Sequence, residues 1–155
     1  MKPCYKKTPS DCVARCVESL VGHLTGPVPN FIAGSPTSDS DAWMAARINR
    51  WLKRHDLGLV FVNLENDRKR IFSMPVPTYC ILFCEKKGKD RWGHAVVGKI
   101  SGRRITVAHD PDYYECGVNG AIKLSLFNID AIGFIVHGDT VARGPVPKPG
   151  PTRPE

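Results

Sequence analysis

From Asp11 to Leu24 apolar side chains return every three or four positions, at Val13, Cys16, Val17, Leu20 and Val21. That is the stripe of an amphipathic helix. Ser10 or Asp11 can cap its start, and Gly22 or Gly26 can end it. The stretch from Gly26 to Ser40 is rich in Pro, Gly and Ser and reads as loop. A second helix is predicted from about Asp39 to His55, with Trp43, Met44, Ile48, Trp51 and Leu52 as its core-facing stripe. At Leu59 the period changes. Leu59–Val62, Thr78–Cys84, His94–Ile100, Arg104–Ala108 and Ile132–Val136 are short, rich in Val, Ile and aromatics, and predicted as strands. Ile100-Ser101-Gly102-Arg103-Arg104 reads as a tight hairpin turn, and Ala121–Phe127 as a further strand. Two helices followed by an antiparallel sheet make an α+β domain, with the N-terminal helices packed on one face of the sheet.

Composition narrows this picture. The 155 residues suffice for one cored domain, assigned to 1–143. The tail 144–155, GPVPKPGPTRPE, is too proline-rich for regular structure and is expected to be disordered. Runs such as Tyr79–Phe83 and Ile132–Val136 are too short to cross a bilayer, so no membrane association is expected. Basic residues near Met1 have no apolar segment behind them, so no secretory signal is read. A cytoplasmic location, in the producing or host bacterial cell, is the expectation, with the six cysteines reduced. The net charge of +7 raises nucleic acid as a partner. Its basic residues are scattered beside predicted turns, without a zinc-finger spacing or an aromatic-interleaved stripe, and nucleic-acid binding is not the expected function.

The chemistry gathers around Cys12. In the first turn of a helix, a sulfur meets free N–H groups and the positive end of the dipole, which favour a thiolate. Cys16, one turn on, faces the core. Cys80 and Cys84 share a strand face among Ile81, Leu82 and Phe83, which suits burial better than the tight knuckles of structural zinc. No metal or other cofactor is expected. A thiolate nucleophile needs a base. His23 and His55 end helices and His137 follows a strand, all surface or capping positions. His94 opens an apolar strand after Gly93, and the next strand closes on His109-Asp110-Pro111. A hairpin about Gly102 brings His94 and Asp110 to one open end, Asp110 orienting an imidazole whose other nitrogen faces the thiolate. Asp112 is the competing carboxylate. His109 is expected to face away from Asp110, because neighbouring strand side chains alternate.

The order of Asp11-Cys12 at a helix start, Ser19-Leu20-Val21-Gly22, Val28-Pro29-Asn30-Phe31, Gly93-His94-Ala95-Val96-Val97-Gly98 and His109-Asp110-Pro111 resembles the papain-like cysteine peptidases. The nearest likeness is to compact bacteriocin-processing peptidase domains and small bacterial or phage-encoded relatives. The likeness spans roughly residues 5 to 137. It implies a papain-like α+β fold and a cysteine peptidase or isopeptidase, with Cys12 as nucleophile, His94 as base and Asp110 as orienting acid. Lys6, Asp11, Trp92 and Gly93 are the implied candidates for the oxyanion site and cleft. Implied partners are a protein or peptide substrate, such as a ubiquitin-like tail or a Gly-Gly leader, and the net positive charge favours an acidic protein target. One departure stands out: the oxyanion glutamine of the family is replaced by Lys6, and the chain contains no glutamine at all. Losing one oxyanion donor typically costs ~10²–10³ in kcat. The alternative is therefore a weak or inactive papain-like domain that binds and blocks a host defence factor.

Overall fold

A computed structural model describes residues 1, 3–4, 11–22, 24, 26–33, 40–64, 74–86, 93–112 and 127–138. Lys6, Trp92, His23, Cys116, most of the predicted strand at 121–127, the 113–119 segment and the tail from 144 lie outside these residues. Two helices, α1 (Cys12–Val21) and α2 (Ser40–Leu52), precede a 3-10 turn (Lys53–His55) and five strands. The strands are β1 (Leu57–Asn63), β2 (Met74–Lys86), β3 (Gly93–Gly102), β4 (Arg104–His109) and β5 (Phe127–His137). They form one antiparallel sheet in the order β1-β5-β2-β3-β4. The α+β class expected from the periodicity is therefore observed, and among the described residues no helix is long and apolar enough to cross a membrane.

The stripe of α1 does what its spacing predicts: Val13, Cys16, Val17 and Val21 are buried. They pack with Phe31, Ile48, Leu52, Leu59, Ile81 and Val97 under the helices. Strand alternation sends Leu82, Val96, Ile100 and Ile132 to the opposite face, where they too are fully buried. The helix is shorter than expected, ending at Val21, with Gly22 at the C-cap at φ −59° and ψ 2°, outside the left-handed region. Asp11 holds the N-cap position, but its carboxylate makes no side-chain cap and instead lies 3.3 Å from Arg15 Nε. Arg15 also contacts Glu18.

Strand β2 begins four residues before the predicted Thr78, running through Pro75 and Pro77. Proline is tolerated there because β2 pairs with β5 only from Ile81 onward, and its register with β3 shifts between Met74 and Thr78. The predicted hairpin is present: Ser101 pairs with Arg104, and Gly102 supplies the positive φ (57°) that the turn demands. Two polar side chains on α2 tie the layers together. Asn49 both accepts from Leu59 N (2.7 Å) and donates to Leu59 O (3.3 Å) on the edge strand β1. Arg47 donates to the carbonyls of Phe31 and Ala33 and lies over the Trp43 ring. With Asn30 Oδ1 accepting from Ile32 N and Ala33 N, this fixes the loop at 28–33 against α2.

Candidate active site

Cys12 is the first residue of α1, so its N–H and that of Val13 have no acceptor one turn back within the helix. Its side chain is buried, yet it lines a cavity of about 280 Å³ between the helices and the sheet. His94, the second residue of β3, lines the same cavity. Directly across from His94 in the β2–β3 register stands Cys84.

The hairpin return carries Asp110 to the imidazole. The register of β3 and β4 steps from Gly98↔Val107 to Val97↔His109, so one extra residue, Ala108, is inserted just before the strand ends. Beyond it, His94 Nε2 lies 2.7 Å from Asp110 Oδ1. The same oxygen accepts from the backbone N–H of Asp112 (2.9 Å), and Pro111 between them is buried, so the carboxylate is held from two sides. Asp112 is not displaced by Asp110; its Oδ2 lies 3.8 Å from His94 Nδ1. The two carboxylates weighed as rivals bracket one ring. His109 turns the other way as alternation predicted, its Nε2 2.8 Å from the carbonyl of Cys4, whose own N–H donates to buried Ser19. His55 packs on Trp51 with ring centroids 4.8 Å apart.

Burial alone would lower the pKa of His94. Hydrogen bonds with Asp110 and Cys12, and the charges of Asp110 and Asp112, overcome it and push the imidazole up from 6.5 to about 9. His94 is thus an imidazolium at neutral pH. Its proton is held more tightly in the folded chain than in the unfolded one. The resulting stability is complete below pH 6.5 and is lost as pH rises towards 9, and it amounts to on the order of 3 kcal/mol. Thermal melts of the native protein should therefore fall through this window, and those of His94→Gln should be flatter there. Equal slopes would refute the linkage.

The remaining described thiols near the site behave differently. Burial, then the charges of Cys12, Asp110, Cys84 and Asp112, raises Cys16 well above the usual thiol range. Burial lifts Cys80 to about 12, against a lowering hydrogen bond from the Gly98 backbone. Burial, then Asp130, Asp110 and Cys12, lifts Cys84 to about 12 as well. These three stay protonated and unreactive at neutral pH.

Of the cleft candidates, Gly93 lines the cavity, while Asp11 sits beside it engaged with Arg15. Ile32, Met44, Phe61, Phe83 and Asp130 also line it; Ile32 belongs to the loop predicted from Gly26 to Ser40 and Met44 to the core stripe of the second helix, while Phe61, Phe83 and Asp130 were not singled out for the cleft. Asp130 was visible in principle, as a lone acid inside the apolar run Ile129 to Ile132. Where a metal is concerned, the donor atoms of His94, Asp110 and Asp112 come within 4.8 Å of one another and could hold a cation, although the expectation was of no metal. A hydrogen-bonded imidazolium accounts for the same geometry with a cysteine placed to use it.

The fold and this site define an α+β domain with a cysteine and a histidine at one cavity and an aspartate bonded to that histidine. Comparison with protein-family models finds no match, and comparison with curated proteins finds none either.

Proposed function

We propose that the protein is a cysteine peptidase or isopeptidase of papain-like design. The observation that carries this reading is the buried His94–Asp110 hydrogen bond of 2.7 Å beside a helix-start cysteine in a shared cavity. A structural histidine at a strand end has no need of a second carboxylate on its other nitrogen or of a thiol partner.

In the proposed reaction the Cys12 thiolate attacks the scissile carbonyl carbon and forms a tetrahedral oxyanion. N–H groups at the start of α1 face the developing charge, supported by the helix dipole. Collapse expels the amine, which takes the proton from His94 and leaves a thioester on Cys12. His94, now neutral, removes a proton from water. The hydroxide attacks the thioester, and the carboxylate product leaves as the thiolate and imidazolium are restored. With Nε2 committed to Asp110, Nδ1 is the nitrogen that exchanges these protons.

Limiting iodoacetamide at pH 6, read by peptide mass mapping, tests the pair directly. Cys12 is expected to react at least 10-fold faster than Cys16, Cys80 and Cys84, whose thiols remain protonated. His94→Ala should erase that lead. If Cys12 reacts no faster than the buried three, the enzymatic reading fails. The absence of any glutamine for the oxyanion then favours the second reading, a cleft that binds and blocks a partner protein.

A further inference from the structure

We infer that the outer edge of β1 at Phe61 is a main-chain clamp for the polypeptide substrate, which is held as an extended, unfolded segment through its backbone. The inference rests on the peptidase reading and extends it to substrate class.

The direction of each backbone group on β1 follows from a few bonds. Gly138 N–H donates to Asp56 O, and Leu64 N–H donates to Asp130 O, so the even positions flanking β1 face β5. Leu59 turns the other way, because its N–H and its C=O are both taken by Asn49 of α2. In an antiparallel strand these directions alternate from residue to residue. The β1–β5 pairing runs without a shift from Leu57 to Asn63, so Phe61 is turned outward like Leu59. β1 is an edge strand, and among the described residues nothing is hydrogen-bonded to Phe61 on its outer side. Val60 and Asn63 on either side of it are exposed, so the edge reaches the surface. An open donor and acceptor on an edge form a template for another strand, and Asn49 covers the template at Leu59 but not at Phe61.

Phe61 also lines the cavity that holds Cys12. That cavity follows one row of the sheet. His94 pairs with Cys84, Cys84 with Ile129, and beyond the bulge at Asp130, Ala131 pairs with Asn63. The row thus leads from the catalytic pair to the β1 edge. From β3 to a strand added outside β1 is four strand spacings, about 19 Å, a span that about six extended residues cover. A polypeptide with its scissile carbonyl at Cys12 would cross the cavity and leave over β1, where one residue exchanges N–H and C=O bonds with Phe61. The Phe61 ring packs on Phe83 with centroids 5.0 Å apart, which fixes the clamp from behind. A folded segment has its main chain already paired and cannot present it across this span.

The edge is tested in Cys12→Ala, which lacks the nucleophile, by following its amides as a capped twelve-residue peptide of alternating alanine and threonine is added. The Phe61 amide should exchange freely with solvent beforehand and about 10-fold or more slowly in the complex. The Val60 and Val62 amides, which the alternation turns towards β5, should not change. Phe61→Pro removes an N–H that the sheet does not use, a substitution edge strands tolerate. It should weaken peptide binding by about 5-fold or more relative to Phe61→Leu. Failure of the peptide to bind, binding that leaves Phe61 exchange unchanged, or equal affinities for Phe61→Pro and Phe61→Leu overturns the clamp. Protection of Phe61 that rises with protein concentration before peptide is added assigns the edge to a second copy of the chain, and overturns it too. If Cys12 of the native protein is inert to iodoacetamide, the peptidase reading alone falls, and the titration still decides the edge.

Discussion

Asp110→Ala is expected to lower kcat/KM on a cleaved peptide by about 10²–10⁴-fold, the range set by a misplaced general acid and base. Asp110 does two separable things: its Oδ1 accepts from His94 Nε2 and so fixes the ring, and its charge helps hold the imidazolium up to about pH 9. Asparagine keeps an oxygen that can accept from the ring and from the backbone N–H of Asp112, but not the charge. Asp110→Asn should therefore retain far more activity than Asp110→Ala, while the alkaline limb of its pH–rate profile, near 9 in the native protein, moves to lower pH. Asp112→Asn should move the same limb in the same direction by a smaller amount, since Asp112 is 3.8 Å from Nδ1. If Asp110→Ala leaves both the rate and the limb where they were, the carboxylate has no part in the chemistry.

The largest expected effect on stability lies in the close approach of Gly98 to Leu82, its diagonal neighbour across the β2–β3 ladder. Leu82 is fully buried, and truncation to alanine should cost about 2–5 kcal/mol through lost burial and the cavity left behind. Gly98 is the complement of that side chain. A Cβ there would come within 2.6 Å of Leu82 Cγ and 2.7 Å of Cδ1, so Gly98→Ala must push Leu82 or separate the strands, at about 1–3 kcal/mol. The two substitutions should not add. In the double variant the new methyl occupies space the leucine vacated, and its loss should fall short of the sum of the singles by 1 kcal/mol or more. Chemical denaturation of the four proteins measures this, and strict additivity would mean that the two sites do not share that space.

Local chemistry accounts for what the sequence revealed. The helices at Cys12–Val21 and Ser40–Leu52 and the Gly102 hairpin are written in short-range periodicity and turn residues, and all three are present, although α1 stops at Val21 and α2 gives way to the 3-10 turn at Lys53. The expectation that His94 and Asp110 share one end of a hairpin needed only the turn and the strand lengths. Less legible was whatever depends on distant pairing. Nothing in the run Phe127–His137 says that the last strand inserts between β1 and β2, yet this insertion brings Asp130 into the cavity. The early start of β2 was hidden because Pro75 and Pro77 read as breakers unless one knows that this part of the strand lacks β5 beside it. Asp11 looked like a cap, and its partner Arg15 one turn on was the competing claim.

The separation of Cys12 from His94 along the chain has a consequence for how the protein is made. On the peptidase reading, the nucleophile leaves the ribosome roughly 80 residues ahead of its base, and at about 5–20 residues per second that is several seconds. Throughout that interval Cys12 has no imidazolium beside it, because β3 and the Asp110 turn that together create it do not yet exist. A nascent or truncated chain is thereby chemically silent towards its neighbours on the polysome. On the same reading, activity arrives with the later strands rather than with the first helix.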